Sequence, residues 1–193
     1  MSEVKVWRAS DYVRMPWKNG GGSTEEITRD AGEGLDGFGW RLSIADIAES
    51  GGFSSFAGYQ RIITVLQGAG MILTVDGEDT RGLLPLDPFP FKGESQVSCR
   101  LVGGPIRDFN LIYSPQRYRA RLQWMDGAQR FFSAAQTLLV FSVADEVAVL
   151  GEVLSRHDCL QLNGNTGLLD VSVTGRCCVI ELTAAPTFDH HKV

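Results

Sequence analysis

Apolar and polar residues alternate with a period of two over most of this chain, as they do in strands whose side chains point to opposite faces of a sheet. In "WRLSIADI" the residues Trp40, Leu42 and Ile44 fall on one face, and Arg41, Ser43 and Ala45 on the other. "IRDFNLIY" repeats the pattern, with Phe109 and Leu111 opposed to Asp108 and Asn110. The start, "MSEVKVWRASDY", reads as a first strand. In "YQRIITVLQGAGMILTVDGEDT" β-rich runs flank the turn Gln67-Gly68-Ala69-Gly70. Asp76-Gly77 supplies a second turn of the kind that favours positive φ, which predicts three successive antiparallel strands. "LLPLDPFPFKGE" is punctuated by prolines that have no amide donor, so it cannot be a central strand. "SQVSCRLV" and "IRDFNLIY" then continue the sheet around the turn "GGP". Further strands are predicted at "YRARLQW", "TLLVFSV", "EVAVL", "CLQL", "GLLDVSV" and "CCVIELT", with turns at Asn163-Gly164 and Thr174-Gly175. Helical spacing is scarce, and "MDGAQRFFSAAQ" predicts a short turn at most. Many short strands between Gly and Pro turns predict an all-β sandwich or barrel. No low-complexity linker separates the halves, so a chain of 193 residues is expected to form one compact unit.

Composition narrows the classes. A hydrophobic share of 44% with 21% charged residues is ordinary for a soluble protein. No apolar run approaches the roughly 18 to 20 residues that cross a bilayer as a helix. The start has no apolar block of the secretory kind, so a cytoplasmic location is expected. A formal net charge of -5, with scattered basic residues, argues against a nucleic-acid partner. Cys99, Cys159, Cys177 and Cys178 lack metal-type spacing, and adjacent residues in a strand face opposite ways. They read as reduced core thiols.

The segment "RMPWKNGGGSTEEI" sets Trp17, Lys18 and Asn19 directly before three glycines. A phosphate-binding Walker loop needs its lysine after the glycines and a helix beyond them, and neither is present. A dinucleotide fingerprint needs a βαβ unit, which this alternation excludes. Ser23 and Glu26 match a helix capping box, but too few residues follow for a helix. Two readings remain: a tight turn with Trp17 on the core edge, or a pocket rim where glycines let a ligand approach the backbone.

The stretch "GGFSSFAGYQRIITVLQGAGMILTVDG" resembles the first half of a cupin barrel. Cupin enzymes carry paired histidines and a glutamate that bind a metal, with a glycine at a fixed distance beyond the glutamate. Here Arg61 stands at the glutamate's position relative to Gly68, and the upstream "FSSFAGYQ" has no histidine. The chain's histidines are His157, which reads as a surface residue in "SRHDC", and the C-terminal pair His190 and His191. No metal and no other cofactor is expected in the barrel. The motifs "MPWKNGGGSTEEI", "WRLSIADI", "GGFSSFAGYQRIITVLQGAGM", "FPFKG" and "DFNLI", in this order, resemble the HutD/Ves family of cupin-like proteins over essentially the whole chain. That resemblance implies a bicupin: two β-barrel or jelly-roll halves packed as one unit, in a cytosolic bacterial protein. Residues 1–113 would form the half that carries a ligand pocket, and residues 114–193 a degenerate second half. It also implies an association with histidine utilisation, with no assigned enzymatic activity.

Arg61 in a metal ligand's place turns the chemistry around, because a guanidinium is a permanent cation whose rigid fork of donors suits a carboxylate. The expected ligand is therefore a small anionic metabolite, such as the histidine-degradation intermediates N-formylglutamate or urocanate. Alternation puts Asp108 and Asn110 together on one face and Arg41 and Ser43 together on another, the arrangement of a polar lumen. Lys18, Asn19 and Trp17 would sit at the rim, and Phe53 and Phe56 on the wall. For Arg61 the competing reading is an internal ion pair with Asp108. For Phe53, Phe56 and Phe91 it is simple core packing. An enzymatic alternative, a metal-free hydrolase or isomerase, would use Asp108 or Glu26 as base. A purely structural protein with an empty barrel is the third option. Exposed strand edges permit a homodimer, and nothing in the pattern chooses between one copy and two.

Overall fold

The computed structural model describes residues 2–187, so the histidine pair at 190 and 191 lies outside the described residues. Among them there is no α-helix, only a 3-10 turn at Ala9–Asp11. Strands β1 (Glu3–Trp7), β2 (Arg14–Pro16), β3 (Gly22–Arg29), β4 (Trp40–Ile47), β5 (Gly51–Gly52) and β6 (Gln60–Gln67) come first. They are followed by β7 (Met71–Val75), β8 (Glu78–Asp79), β9 (Phe89–Lys92), β10 (Val97–Leu101) and β11 (Ile106–Tyr113). The rest are β12 (Tyr118–Met125), β13 (Ala128–Ser133), β14 (Thr137–Ser142), β15 (Val147–Val149), β16 (Glu152–Leu154), β17 (Cys159–Asn163), β18 (Leu169–Thr174) and β19 (Cys177–Ala184).

These strands form four antiparallel sheets. A six-stranded sheet in the order β2-β3-β4-β11-β6-β9 faces a four-stranded one, β5-β10-β7-β8. A five-stranded sheet, β1-β17-β14-β19-β12, faces the last, β13-β18-β15-β16. Three apolar cores fill the gaps. Val65, Met71, Leu73 and Cys99 pack inside the first pair of sheets, and Leu138, Val140, Val171 and Val179 inside the second. The bulky side chains Trp40, Leu42, Phe109 and Phe141 lie between the six- and five-stranded sheets, where they join the two halves. The molecule is thus a bicupin whose central sheets are buried on both faces. This explains the unbroken apolar run of β14: Leu138 and Val140 face the second barrel, while Leu139 and Phe141 face the first. Cys177 and Cys178 divide between the same two cores and are free thiols, as are Cys99 and Cys159.

Three expectations need correction. The turn Gln67-Gly68-Ala69-Gly70 does not close a hairpin: β6 is laddered to β11 and β9, and β7 to β10 and β8. The chain turns a corner there from one sheet to the other, and it does so again at "GGP" between β10 and β11. Closing a barrel from two sheets requires such corners, and locally a corner looks like a hairpin turn. The Asp76-Gly77 hairpin does form, with Asp76 at φ 50° and Gly77 at φ 88°. Secondly, a division after residue 113 does not hold for β1, whose residues Glu3 to Trp7 pair with Asn163 to Cys159 in the second half's sheet. Trp7 Nε1 donates to Gln161 Oε1 at 2.8 Å, and the backbone N–H of Ala9 donates to Asp158 Oδ1 at 2.8 Å, so the N-terminal segment straps the halves together. Thirdly, "MDGAQRFFSAAQ" contains a full strand, β13, at the edge of its sheet. Its alternation is obscured because Phe132 is exposed to solvent beside the inward Phe131. The proline-punctuated β9 is an edge strand, as the missing donors require.

Candidate ligand-binding site

The upper part of the first barrel is hollow. Three strands of the six-stranded sheet turn every second side chain into it: Arg41, Ser43 and Ala45 from β4, Arg61 and Ile63 from β6, and Asp108, Asn110 and Ile112 from β11. Register sets these in rows across the sheet. Ile112 lies opposite both Arg41 and Arg61, Asn110 opposite Ser43 and Ile63, and Asp108 opposite Ala45 and Val65. The arginines therefore share one row, and Asp108 lies two rows further down, beside the apolar core. The cavity has a volume of about 590 Å³, within the range of roughly 300 to 1,000 Å³ usual for small-molecule sites. All ten residues singled out from the sequence (Trp17, Lys18, Asn19, Arg41, Ser43, Phe53, Phe56, Arg61, Asp108 and Asn110) line it.

Arg61 is buried, and its guanidinium carbon sits 4.8 to 5.7 Å from the ring centres of Phe91, Phe56 and Phe53. Its one hydrogen bond runs from Nη1 to the carbonyl of Ser54 at 3.1 Å, and Nε is buried without a partner. Burial lowers its pKa to about 10, the charge of Asp108 opposing and that of Arg41 adding to the shift, so the group stays cationic at neutral pH. The competing arrangement, an internal ion pair with Arg61, is not made: Asp108 Oδ1 accepts only from Asn110 Nδ2, at 2.5 Å, and Asp108 Oδ2 has no partner. Asn110 Oδ1 is likewise buried and unpaired. Burial pushes the Asp108 carboxyl up to about 7, against the hydrogen bond from Asn110 and the charge of Arg61. A buried cation, a carboxyl able to hold or release a proton, and an amide oxygen thus come from residues that line one hollow, each with an enclosed, unused hydrogen-bonding position.

Other members are engaged with the protein itself. Arg41 Nε donates to Glu26 Oε1 at 2.6 Å, and Glu26 also accepts from Arg29. Burial raises the Glu26 pKa, but its bonds to the two arginines outweigh this and leave it below the ordinary range, which makes it a poor base. Trp17 Nε1 donates to Thr24 Oγ1 at 2.8 Å, holding the indole as a wall, while Lys18 is exposed at the mouth.

The glycine segment serves both readings of it. Asn19 Oδ1 accepts from the Gly21 N–H, and Gly20 turns the chain at φ 76°. Gly22 has no room for a side chain: an added Cβ would lie 2.4 Å from the Asp46 carbonyl and 2.9 Å from the Trp17 ring. Gly22→Ala is therefore expected to push Trp17 off the wall and cost about 1 to 3 kcal/mol, read as a lower thermal midpoint. An unchanged midpoint would mean that Trp17 is not held there.

The sequence reading missed Phe91 as the third ring of the Arg61 cage, the Ser54 carbonyl, and the exposed rim residues Met15 and Leu35. Phe91 lies opposite Arg61 in the β6–β9 ladder, a pairing invisible before the strands are matched. His157, expected at the surface, is 5% exposed. Its ring stacks on Phe141 at 5.5 Å, and Nδ1 lies 3.3 Å from Arg107 Nη1. Burial, helped by the charges of Arg107 and Arg156, lowers its pKa to about 4, so it is neutral at neutral pH. It is absent from the cavity wall. Among the described residues no three His, Cys, Asp or Glu side chains converge as a metal site would require. No helix among them is long and apolar enough to cross a membrane.

Comparison with known proteins gives these features a family. The chain is 67% identical over 187 residues to an uncharacterized 21.2 kDa protein in the hutC 3' region of Pseudomonas putida, covering 94% of this chain and 98% of that protein. It is 36% identical to protein Ves of Escherichia fergusonii, over 95% of this chain and 97% of the relative. Among solved structures, HutD from Pseudomonas fluorescens SBW25 superposes with a TM-score of 0.92 at 80% identity, covering 95% of this chain and all of that one. The Escherichia coli pirin YhhW, solved in complex with nickel(II), shares only the fold, with a TM-score of 0.67 at 10% identity over 95% of this chain and all of the other. The HutD family model matches residues 9–179, and the chain accordingly belongs to the HutD family of cupin-like proteins associated with histidine utilisation.

Proposed function

We propose that this protein is a metal-independent receptor for a small carboxylate, an intermediate of histidine degradation such as N-formylglutamate or urocanate, whose occupancy modulates histidine utilisation. The observation that carries the reading is Arg61, a buried cation with one backbone hydrogen bond and no carboxylate partner, aimed into a cavity of metabolite size. Leaving a charge in this state is unfavourable unless something binds it, and an incoming carboxylate supplies both counter-charge and acceptors. Asn110, whose side-chain oxygen has no partner, lies on the same wall to meet a donor elsewhere on the ligand, and the aromatic wall suits its apolar part.

The test is thermal unfolding of EDTA-treated protein against histidine, urocanate, formiminoglutamate, N-formylglutamate and glutamate. A ligand at about a hundred times its Kd adds about 2.7 kcal/mol and raises the midpoint by several degrees. A rise with one metabolite identifies it; no rise with any of them removes the reading. One observation favours a second reading, a metal-free acid-base enzyme: the Asp108 carboxyl, pushed up to about 7, has the acidity of a general base or acid at neutral pH. Product formation proportional to protein and lost in Asp108→Asn would favour the enzyme.

A further inference from the structure

We propose that the barrel takes up a proton together with its carboxylate ligand, and that Asp108 is the group that accepts it. The inference rests on the receptor reading, and it makes Asp108 the residue that selects the charge of what binds.

Geometry carries it. Asp108 has no exposed surface, one hydrogen bond to Oδ1 and none to Oδ2. It stands in a row with Ala45 and Val65, so nothing polar flanks it along the sheet. The charged and titratable groups around it come from every neighbouring element. From β6 comes Arg61, and from β4 come Arg41, already paired with Glu26 of β3, and Asp46, whose negative charge works against a second anion. From the facing sheet comes Cys99 of β10, whose thiol burial pushes up to about 12 and keeps neutral. On β11 itself Arg107 turns to the opposite face, where it pairs with Glu25 and Asp46. Lys18 is at the solvent mouth. Among the described residues lining the closed part of the cavity, Arg61 is thus the one cation without a carboxylate partner.

A ligand carboxylate seated on Arg61 places a second anion in a hollow with one uncompensated cation. Two carboxylates and one cation, with the Asp108 carboxyl itself shut off from solvent, cannot all remain charged cheaply, and the solution is a shared proton. Solvent supplies the proton and Asp108 Oδ2 receives it. The enclosed, unpaired acceptor thereby becomes a neutral O–H, while Asn110 Nδ2 continues to donate to Oδ1. Below the range in which free Asp108 ionises the proton is already in place. Above it, each further pH unit weakens carboxylate binding by up to about tenfold.

The experiment is calorimetric titration with N-formylglutamate, which has no group titrating near neutrality, in buffers of different ionisation enthalpy between about pH 6 and pH 9. Proton uptake is expected to rise toward one per ligand at the alkaline end, with affinity falling about tenfold per pH unit there. In Asp108→Asn, which keeps the oxygen that accepts from Asn110, uptake disappears and affinity becomes flat with pH. Binding by the wild type without uptake, or uptake that persists in Asp108→Asn, overturns the proposal and leaves the receptor reading intact. Should N-formylglutamate fail to bind at any pH while another metabolite binds, the same titration is run with that metabolite. Carbon-13 NMR titration of the Asp108 carboxyl in the free protein, assigned by its loss in Asp108→Asn, is the ligand-independent check. Ionisation near neutrality supports the proton site, and a midpoint in the ordinary aspartate range removes it.

Discussion

Arg61→Met is expected to weaken carboxylate binding by about ten- to a hundredfold, some 1.5 to 3 kcal/mol, while the protein unfolds at the same temperature or a higher one. Both halves of this outcome come from the same geometry. The guanidinium makes one hydrogen bond, to Ser54, and stands among three phenyl rings, where burial already lowers its pKa. A thioether of comparable length fits such a cage and removes the desolvation penalty, and replacing buried ionic groups by apolar ones of similar volume is often neutral or stabilising. Asp108 need not be stranded as a charge, because it can take a proton. Calorimetric titration and scanning calorimetry on the same preparation separate the two effects. Unaltered affinity would sink the site assignment. A loss of several kcal/mol in stability with binding retained would make Arg61 a structural residue.

Phe109→Ala is expected to cost about 3 to 5 kcal/mol, a large part of the roughly 5 to 15 kcal/mol that holds a typical protein folded. Phe109 has no exposed surface. It stacks on Phe141 across the halves at a centroid distance of 4.3 Å and meets Trp124 edge-on at 5.8 Å. Phe141 and Trp124 belong to different strands of the five-stranded sheet, so the gap left behind cannot close without moving two of them. Its neighbours Asp108 and Asn110 point to the other face, so the folded fraction should keep its ligand affinity. Urea unfolding followed by fluorescence gives the cost. A single transition in the variant fits halves that fold as one unit, and two resolved transitions would show that the central core does not couple them. A cost under about 1 kcal/mol would mean that the interface is loosely packed.

The side of each strand on which a residue falls is legible in the sequence. Trp40, Leu42, Phe109 and Leu111 were set apart from Arg41, Ser43, Asp108 and Asn110 by alternation alone, and the structure puts the first set between the halves and the second in the cavity. Arg61 stood out because it occupies a metal ligand's place in a recognisable pattern. Period-two alternation is a property of the local backbone, and ten residues are enough to display it.

Which strand lies beside which depends instead on surfaces that meet only after long loops close. That is why the turn at Gly68 passes for a hairpin, and why β1 crosses more than a hundred residues of sequence to pair Trp7 with Cys159. The same holds for the chemistry of the site. Phe91 completes the cage because β9 pairs with β6, and Asp108 falls short of Arg61 because the register sets them two rows apart. His157 is buried because a left-handed turn at φ 67° lays its ring on Phe141. The sequence by itself determined the all-β class and the identity of the lumen residues. Tertiary pairing alone decided that the cation and the carboxyl among them remain apart, since distance across a sheet is set by register between strands and not by the order of residues within one.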